Sequence, residues 1–537
     1  MIDIMKHKII IGPAWPYANN YMHVGHLAAL LPADIIARYY RLNGDDVIMV
    51  SGTDCHGTPI TERARKENVP PFSIADKYHK SFVKNITDLN FTFDKYGATY
   101  DAYHKAEIQK IFLKMYRDGR FYKQTGTQDF CPKCSAFLSD REIRGVCPHC
   151  GGKAKGDQCD DCLASLDAGQ IKDKTCALCG GKTEQRQNKS LMFSLSKYQK
   201  DIEALLAKNK DKWRVNAVNE TQKYLSQGLI DRAVTRDLPW GIDVPIEEFK
   251  DKKVYVWIEA VLGYYTMSKY VLEARGERIE DYMKDPALRT YYVHGKDNIP
   301  FHSVIYPALL LAIDKDYGLP DYIVSCEYIK VGAEKMSKSL GNLLTVNELT
   351  ERFEADTIRF YTILSNPEKK DSSFTVSDLI GAHNKLLVGG LGNFVNRNLS
   401  FLMKKFGGEV PGGAVDKDII EKTRAAYGAA GAKLEAGYTR EALETLTEYI
   451  QLANKYYDDM KPWVQVHENP AAFGDITQTC LYMMANMSNL FHPFVPNAMD
   501  RLKVMLKLGP AKWEEVRPDV TKLETVNILF NRIDATE

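Results

Sequence analysis

Short, nearly continuous apolar runs alternate with amphipathic stretches over the first two thirds of the chain, and only the amphipathic pattern persists beyond them. Residues 8–12, 47–52, 254–257, 291–295 and 322–326 are strand-like runs that end in polar or Gly-rich turns. Helical periodicity lies between several of them, as at 27–42 and 108–115. Strands without a polar face, alternating with helices, predict an α/β fold with a parallel, doubly wound sheet. The strands fall in two groups, within 1–115 and 236–325, so the sheet is split by an insertion over 116–235 that carries a cysteine-rich segment.

Past about residue 375 the strand signals stop. Leu391, Val395, Leu399 and Leu402 fall on one helical face, and Leu443, Leu446, Ile450, Ala453 and Tyr457 on another. Residues 376–537 are therefore predicted to be all-α, with 326–375 as a linking segment. Gly407-Gly408 and Pro411-Gly412-Gly413 break the pattern between two helices and predict a loop. No internal repeat and no low-complexity tail stands out.

Composition narrows the class. A chain of 537 residues, 45% apolar and 26% charged, has the make-up of a folded protein of several domains. Its 71 basic and 70 acidic residues leave a net charge of +1, so affinity for nucleic acid requires a local patch. The first residues lack the apolar core and cleavage site of a secretory signal. The longest apolar stretch, 304–313, contains Pro307 and is far short of the ~20 residues that cross a bilayer. A cytoplasmic protein without membrane contact is expected.

Eight of the eleven cysteines form four Cys-x-x-Cys pairs: Cys131/Cys134, Cys147/Cys150, Cys159/Cys162 and Cys176/Cys179. Such spacing favours metal over disulfides. Eight thiolates supply two tetrahedral zinc sites with no open ligand position, which makes structural sites the expectation. Cys55, Cys326 and Cys480 lack sequence partners and are expected to be packing thiols.

Two further motifs carry chemistry. In His23-Val24-Gly25-His26 the imidazoles are three positions apart, so at the start of the following helix they share a face where backbone N–H groups and dipole suit a phosphate. Lys335-Met336-Ser337-Lys338-Ser339 lies in a Gly-bounded segment, where two ammonium groups could stabilise departing pyrophosphate. Either alone is compatible with surface histidines or a solvated basic loop. Both in this order in one chain point to ATP chemistry.

The chain also contains Pro16-Tyr17-Ala18-Asn19, Gly52-Thr53-Asp54-Cys55-His56-Gly57-Thr58, Tyr255-Val256-Trp257, Gly295-Lys296-Asp297 and Phe301-His302. With the histidine and lysine motifs, this set resembles the class I aminoacyl-tRNA synthetases and, within them, the methionyl-tRNA synthetase family, over nearly the whole chain. The resemblance implies a split Rossmann-type catalytic domain, a zinc-binding insertion, a linking segment with the lysine loop and an anticodon-binding helix bundle. It implies activation of L-methionine by ATP with Mg²⁺ and transfer to the terminal adenosine of tRNA(Met), at the 2′-hydroxyl.

Site residues carry over by position. His23, His26, Lys335 and Lys338 are the implied catalytic groups, and Gly25, Gly295 and Asp297 join them in binding ATP. Asp54 is implied to hold the α-ammonium, with Tyr17, Trp257, Ala260, Tyr264, Phe301 and His302 around the methionine side chain. Asn393, Arg397 and Trp463 are implied to contact the anticodon, Asn393 and Arg397 sharing a helix face and the indole suited to stacking a loop base. The resemblance favours nested cysteine pairing, the middle pairs on one ion and the outer pairs on the other; sequential pairing is the alternative.

Two positions depart from the family pattern: Trp15 stands where a smaller Leu is common, and Val261 replaces a Pro. Rival readings are another class I synthetase and a non-catalytic zinc and RNA-binding relative. The first lacks the large editing insertion or the cysteine it needs after the first strand; the second leaves both motifs unexplained. The chain ends soon after the helical region without an added RNA-binding module, so a monomer is expected.

Overall fold

The computed structural model describes residues 7–138, 142–155, 161–162, 171–331 and 344–534. Five parallel strands form the central sheet: β1 (Lys8–Pro13), β2 (Asp46–Thr53), β3 (Lys95–Ala98), β4 (Leu288–Gly295) and β5 (Tyr322–Cys326), in the order β5-β4-β1-β2-β3. β1 and β2 are buried almost from end to end, which is why they carry apolar runs and no alternation. Helix α1 (Val24–Leu42) follows β1 and packs across the sheet. The order places β1 between strands of the two sequence halves, and the crevice beyond the strands' carboxyl ends is where such sheets bind ligands.

One expected strand is corrected. Only Lys253–Val254 of the 254–257 run is extended, and Val256 opens helix α2 (Val256–Ala274). A four-residue apolar run does not distinguish a strand from a buried helix turn. Here it starts a helix with buried residues on every side, from Val256 and Ile258 to Val271 and Leu272.

The insertion projects on a long antiparallel pair, Phe121–Cys131 with Glu184–Phe193, in register from Phe121↔Phe193 to Phe130↔Glu184. A small three-stranded sheet of Ile143–Val146, Lys153–Lys155 and Lys172–Cys176 carries the cysteines.

After the short linking helix α3 (Ala355–Leu364) and a strand, Ser372–Phe374, that pairs with Ile329–Val331, helices dominate, among them α4 (Asn393–Phe406), α5 (Lys417–Glu435), α6 (Thr439–Met460), α7 (Pro462–Glu468) and α8 (Pro470–Leu490). The two periodic faces expected there are buried, and the Gly/Pro cluster is the α4–α5 loop. One apolar core runs from Ile9 and Leu27 through Phe360 to Leu443 and Met483, so sheet and bundle share an interior. A second core lies on the opposite face of the sheet, around Ile10, Val50 and Tyr292. Among the described residues no helix is long and apolar enough to cross a membrane.

Candidate active site

His23 is the N-cap of α1, and the two motif imidazoles cap that helix reciprocally. The Gly25 N–H donates to His23 Nδ1 (3.1 Å) and the His23 N–H to His26 Nδ1 (3.3 Å), with the rings stacked 3.7 Å apart. Both Nδ1 atoms accept, so each neutral ring carries its proton on Nε2. This corrects the expectation that the first N–H groups are open to a phosphate: two are taken, and the rings supply Nε2–H donors instead. The same turn is joined to the linking segment, Val24 N–H to Leu344 O (3.1 Å) and Val346 N–H to Met22 O (2.8 Å). Lys335 and Lys338 lie outside the described residues.

Beside this turn, at the ends of β1 and β2, a cavity of about 70 Å³ is lined by Ala14, Trp15, Tyr17, Asp54, Trp257, Ala260, Val261, Tyr264, Asn298, Phe301 and His302. All the residues expected around methionine are among them. Trp257 stands edge-on to Phe301 (4.0 Å between centroids) and its Nε1–H donates to the Tyr17 hydroxyl. Phe301 and His302 open a π-helical turn, Phe301–Ile305.

The floor of the cavity is neutral. His302 Nδ1–H donates to Asn298 O (2.8 Å), which leaves Nε2 to accept from the Tyr264 hydroxyl (2.9 Å). Burial holds His302 down at about 4, and the His294 ring stacked on it at 4.0 Å is likewise driven to its neutral form by burial. Such a floor suits an uncharged, polarizable side chain and penalises a charged one.

Asp54 is the cavity's acid. Burial, and then the nearby Glu259 carboxyl, push it well above the usual carboxylate range, while the His56 N–H opposes them weakly. A cation arriving at Asp54 supplies the missing compensation. Behind it, Glu259 Oε1 lies 2.7 Å from His56 Nδ1, both side chains buried. Burial drives Glu259 up and His56 down to about 3.

Trp15 is accommodated by absent side chains. A Cβ on Gly52 would lie 2.3 Å from its ring and one on Gly263 2.4 Å from it, and the indole stacks on His104 (5.9 Å). The tryptophan thus fills a slot cut by two glycines, one on β2 and one on α2, and forms a cavity wall.

At the end of β4, a Cβ on Gly295 would meet no protein atom within 4 Å, and Asp297 is exposed. Gly295 thus leaves backbone accessible at the sheet's central crevice. On its other flank the small cavity meets a cleft of about 620 Å³ that reaches the insertion, and Tyr17 and Trp257 line both spaces. Lys174 and Arg236 contribute its positive charges and Asp129, Glu142 and Asp237 its negative ones.

The cysteines group as nested pairs. Cys131, Cys134, Cys176 and Cys179 have their sulfurs within 4.8 Å of one another, with Cys131–Cys179 at 3.4 Å and Cys134–Cys176 at 3.9 Å. Tetrahedral zinc with Zn–S near 2.3 Å sets sulfurs about 3.8 Å apart, so this set can hold the ion. Cys147, Cys150 and Cys162 form a second group, Cys147–Cys162 at 3.8 Å; Cys159 lies outside the described residues. Two knuckles are copies of one turn: the Cys147 N–H donates to Gly152 O and the Cys176 N–H to Gly181 O, both at 2.8 Å, with Gly151 and Gly180 at φ 74° and 69°. Cys-x-x-Cys-Gly-Gly is a local repeat that a search for long periods passes over. Cys55, Cys326 and Cys480 are buried.

In the bundle, Arg397 Nη2 donates to Asp458 Oδ1 (2.8 Å), and its guanidinium lies 4.5 Å from the Tyr457 ring centre and 5.8 Å from that of Trp463. Asn393 Nδ2 faces Asn454 Oδ1 at 3.4 Å, one turn before Arg397. Trp463 is 42% exposed, unusual for an indole, so the three expected residues form one accessible cluster.

Sequence reasoning passed over the His56–Glu259 pair and Asn298. Glu259 is the only charge between residues 254 and 268, and a lone carboxylate in an apolar helix needs a buried partner; that signal was present. Asn298 has none, since its place in the cavity depends on the turn geometry at Phe301.

A family model described as tRNA synthetases class I (M) matches residues 9–399, and one described as the anticodon binding domain of methionyl tRNA ligase matches 407–533. The chain is 43% identical over 532 residues to a methionine-tRNA ligase of Bacillus mycoides (strain KBAB4), covering 99% of this chain and 97% of that one. It is 42% identical to one of Bacillus cereus (strain G9842) over the same span. Among solved structures, it is similar to Mycobacterium tuberculosis methionyl-tRNA synthetase in complex with methionyl-adenylate, with a TM-score of 0.80 and 25% identity over 98% of this chain and 100% of that one.

Proposed function

The chain belongs to the methionyl class I tRNA synthetase family, matched over nearly its full length, and on that premise we propose how its residues divide the work. It activates methionine with ATP to methionyl-adenylate and transfers the methionyl group to the 3′-terminal adenosine of tRNA(Met). The observation that supports the residue assignment is the single cavity lined by Tyr17, Asp54, Trp257, Ala260, Tyr264, Phe301 and His302.

Asp54 holds the α-ammonium by charge-assisted hydrogen bonds, and the aromatic walls over the neutral His302 floor take the thioether. The substrate carboxylate then attacks the α-phosphorus of ATP in line, and pyrophosphate leaves. Nε2–H groups of His23 and His26 donate to the phosphoryl oxygens as charge develops there; fixed donors of this kind need no reorganisation in the transition state. Asp297 and the open backbone at Gly295 receive the ribose, and Lys335 and Lys338 act on the leaving pyrophosphate. Mg²⁺ accompanies the nucleotide. In the second step a ribose hydroxyl of the terminal adenosine attacks the adenylate carbonyl and AMP departs, with the cleft between Tyr17 and the insertion receiving the acceptor end.

The two cysteine groups hold one structural zinc each, stabilising an insertion with few apolar residues. The proposed domain limits are catalytic segments 1–115 and 236–325 around the 116–235 insertion, a linker over 326–375 and an anticodon-binding bundle over 376–537. Reduced thiolate ligands fit a cytoplasmic site of action. Methionine-dependent ATP–pyrophosphate exchange tests the assignment: exchange with methionine, abolished in His23→Ala and weakened in methionine affinity by Asp54→Asn, is expected. Exchange driven by another amino acid alone would overturn it.

A further inference from the structure

Two steps beyond the paired ends of adjacent strands, a tyrosine hydroxyl is joined to a carboxylate. Gly295 of β4 and Cys326 of β5 are partners in register, and the residues two beyond each are Asp297 and Tyr328. The Tyr328 hydroxyl donates to Asp297 Oδ1 at 2.5 Å.

We propose that Tyr328 is a positioning residue for the nucleotide, holding the Asp297 carboxylate in the one orientation that receives the ribose hydroxyls of ATP; this rests on the reading of Asp297 as the ribose acceptor. An exposed aspartate alternates between rotamers, and a carboxylate that must accept from two vicinal hydroxyls loses affinity for every alternative it visits. Tyr328 occupies one oxygen and leaves the lone pairs of Oδ2 directed by the tether.

The tyrosine itself is fixed from every side, which a tether requires. Its N–H donates to Asp371 Oδ1 (3.1 Å) and its carbonyl accepts from the Ser372 N–H (3.0 Å). The Lys296 ammonium sits over its ring at 3.9 Å and is held there by Glu327 (2.6 Å) and Asp371 (3.5 Å). The hydrogen bond to Asp297, and then burial, push the Tyr328 hydroxyl up to about 12, so it keeps its proton and stays a donor at any working pH. Tyr328 also directly precedes the strand Ile329–Val331, which leads into residues 332–343.

The test is methionine-dependent ATP–pyrophosphate exchange on the full chain with ATP and with 2′,3′-dideoxy-ATP. Tyr328→Phe keeps the ring and its contact with Lys296 and removes only the hydroxyl. It is expected to raise KM for ATP about 5- to 10-fold, leave kcat and the KM for methionine within about twofold, and shrink the preference for ATP over the dideoxy analogue by the same factor as KM. A role confined to stability would move the unfolding midpoint and not this split. If Asp297→Ala loses the ribose preference while Tyr328→Phe retains it, Asp297 acts unaided and the proposal falls. If Asp297→Ala retains the preference, the ribose assignment itself is wrong, and the role of Tyr328 goes with it.

Discussion

The Arg359 guanidinium, on α3, meets the Asp34 carboxylate of α1 at 2.6 Å with neither side chain exposed to solvent. The same guanidinium donates to the carbonyls of Leu89, Pro493 and Phe494, so one side chain joins the catalytic sheet, the linking segment and the helical bundle. Asp34 also accepts from Arg38 Nε (2.8 Å) and from the Thr92 N–H (2.7 Å) and hydroxyl.

Removing one partner of a buried pair leaves the other charge uncompensated. Arg359→Leu is therefore expected to cost about 3–5 kcal/mol in urea unfolding, and Arg359→Leu with Asp34→Leu less than the sum of the single changes. Burial alone would push Asp34 up, but the Arg38 and Arg359 charges and the Thr92 hydrogen bond outweigh it and hold the carboxyl well below the usual range. Its stabilisation is present above the unfolded value of about 4 and is lost as pH falls below it. The stability gap between wild type and Asp34→Asn should narrow on acidification, and a gap that widens would refute the assignment.

Asp54 carries the opposite sign. Its carboxyl is raised by burial and by Glu259, so the folded state binds a proton more tightly than the unfolded one. Stability is then lost as pH rises from about 4 toward the folded value. Asp54→Asn should unfold at a higher temperature than wild type at neutral pH, with the gain vanishing near pH ~4, while methionine affinity drops about 10- to 100-fold. Calorimetry in buffers of different ionisation enthalpy should also detect a proton released when methionine binds to wild type and none with Asp54→Asn.

The wall formed by Trp15 predicts a rescue. The three nearest atoms that a Cβ on Gly263 would meet all belong to Trp15, whereas one on Gly52 would also lie 2.5 Å from the Gly97 carbonyl. Gly263→Ala should raise the KM for methionine about tenfold by pushing the indole into the cavity, and adding Trp15→Leu should restore it. Gly52→Ala should remain impaired in the same Trp15→Leu background.

Metal content separates the two cysteine groups. Wild type is expected to carry two zinc ions per chain. Cys131→Ser and Cys176→Ser should each remove one, the two together no more than one, and Cys131→Ser with Cys147→Ser both. A single substitution that empties both sites would mean that the groups are not independent.

At the bundle, Trp463→Ala should lower kcat/KM for tRNA charging about 10- to 100-fold, the worth of one stacked base, and leave pyrophosphate exchange within twofold. Equal losses in both assays would remove Trp463 from tRNA recognition.

What could be read from the sequence follows the range of the interactions concerned. The β1 and β2 strands and the bundle faces at Leu391 and Leu443 are local patterns of period, and all are buried in the structure. The residues lining the Asp54 cavity were legible only through motif resemblance, because Tyr17, Trp257 and His302 come together across more than two hundred residues. Val256 and Trp257 were misassigned because four apolar residues carry no period. Reciprocal capping by His23 and His26, the slot around Trp15 and the Tyr328–Asp297 tether depend on where side chains turn, which composition and spacing do not encode.

The nested cysteines also impose an order in time. The inner ligands end at Cys162, whereas the outer set waits for Cys179, so a chain emerging from the ribosome completes the inner group first. The cost of closing a loop grows with the logarithm of its length, and an ion held by Cys147, Cys150 and Cys162 shortens the path that Cys131 must later close with Cys179. With an ion in each group, the insertion would mature from its tip toward its stem. When zinc is scarce, loss from the outer group would leave a capped tip on a loosened base, not an unfolded insertion.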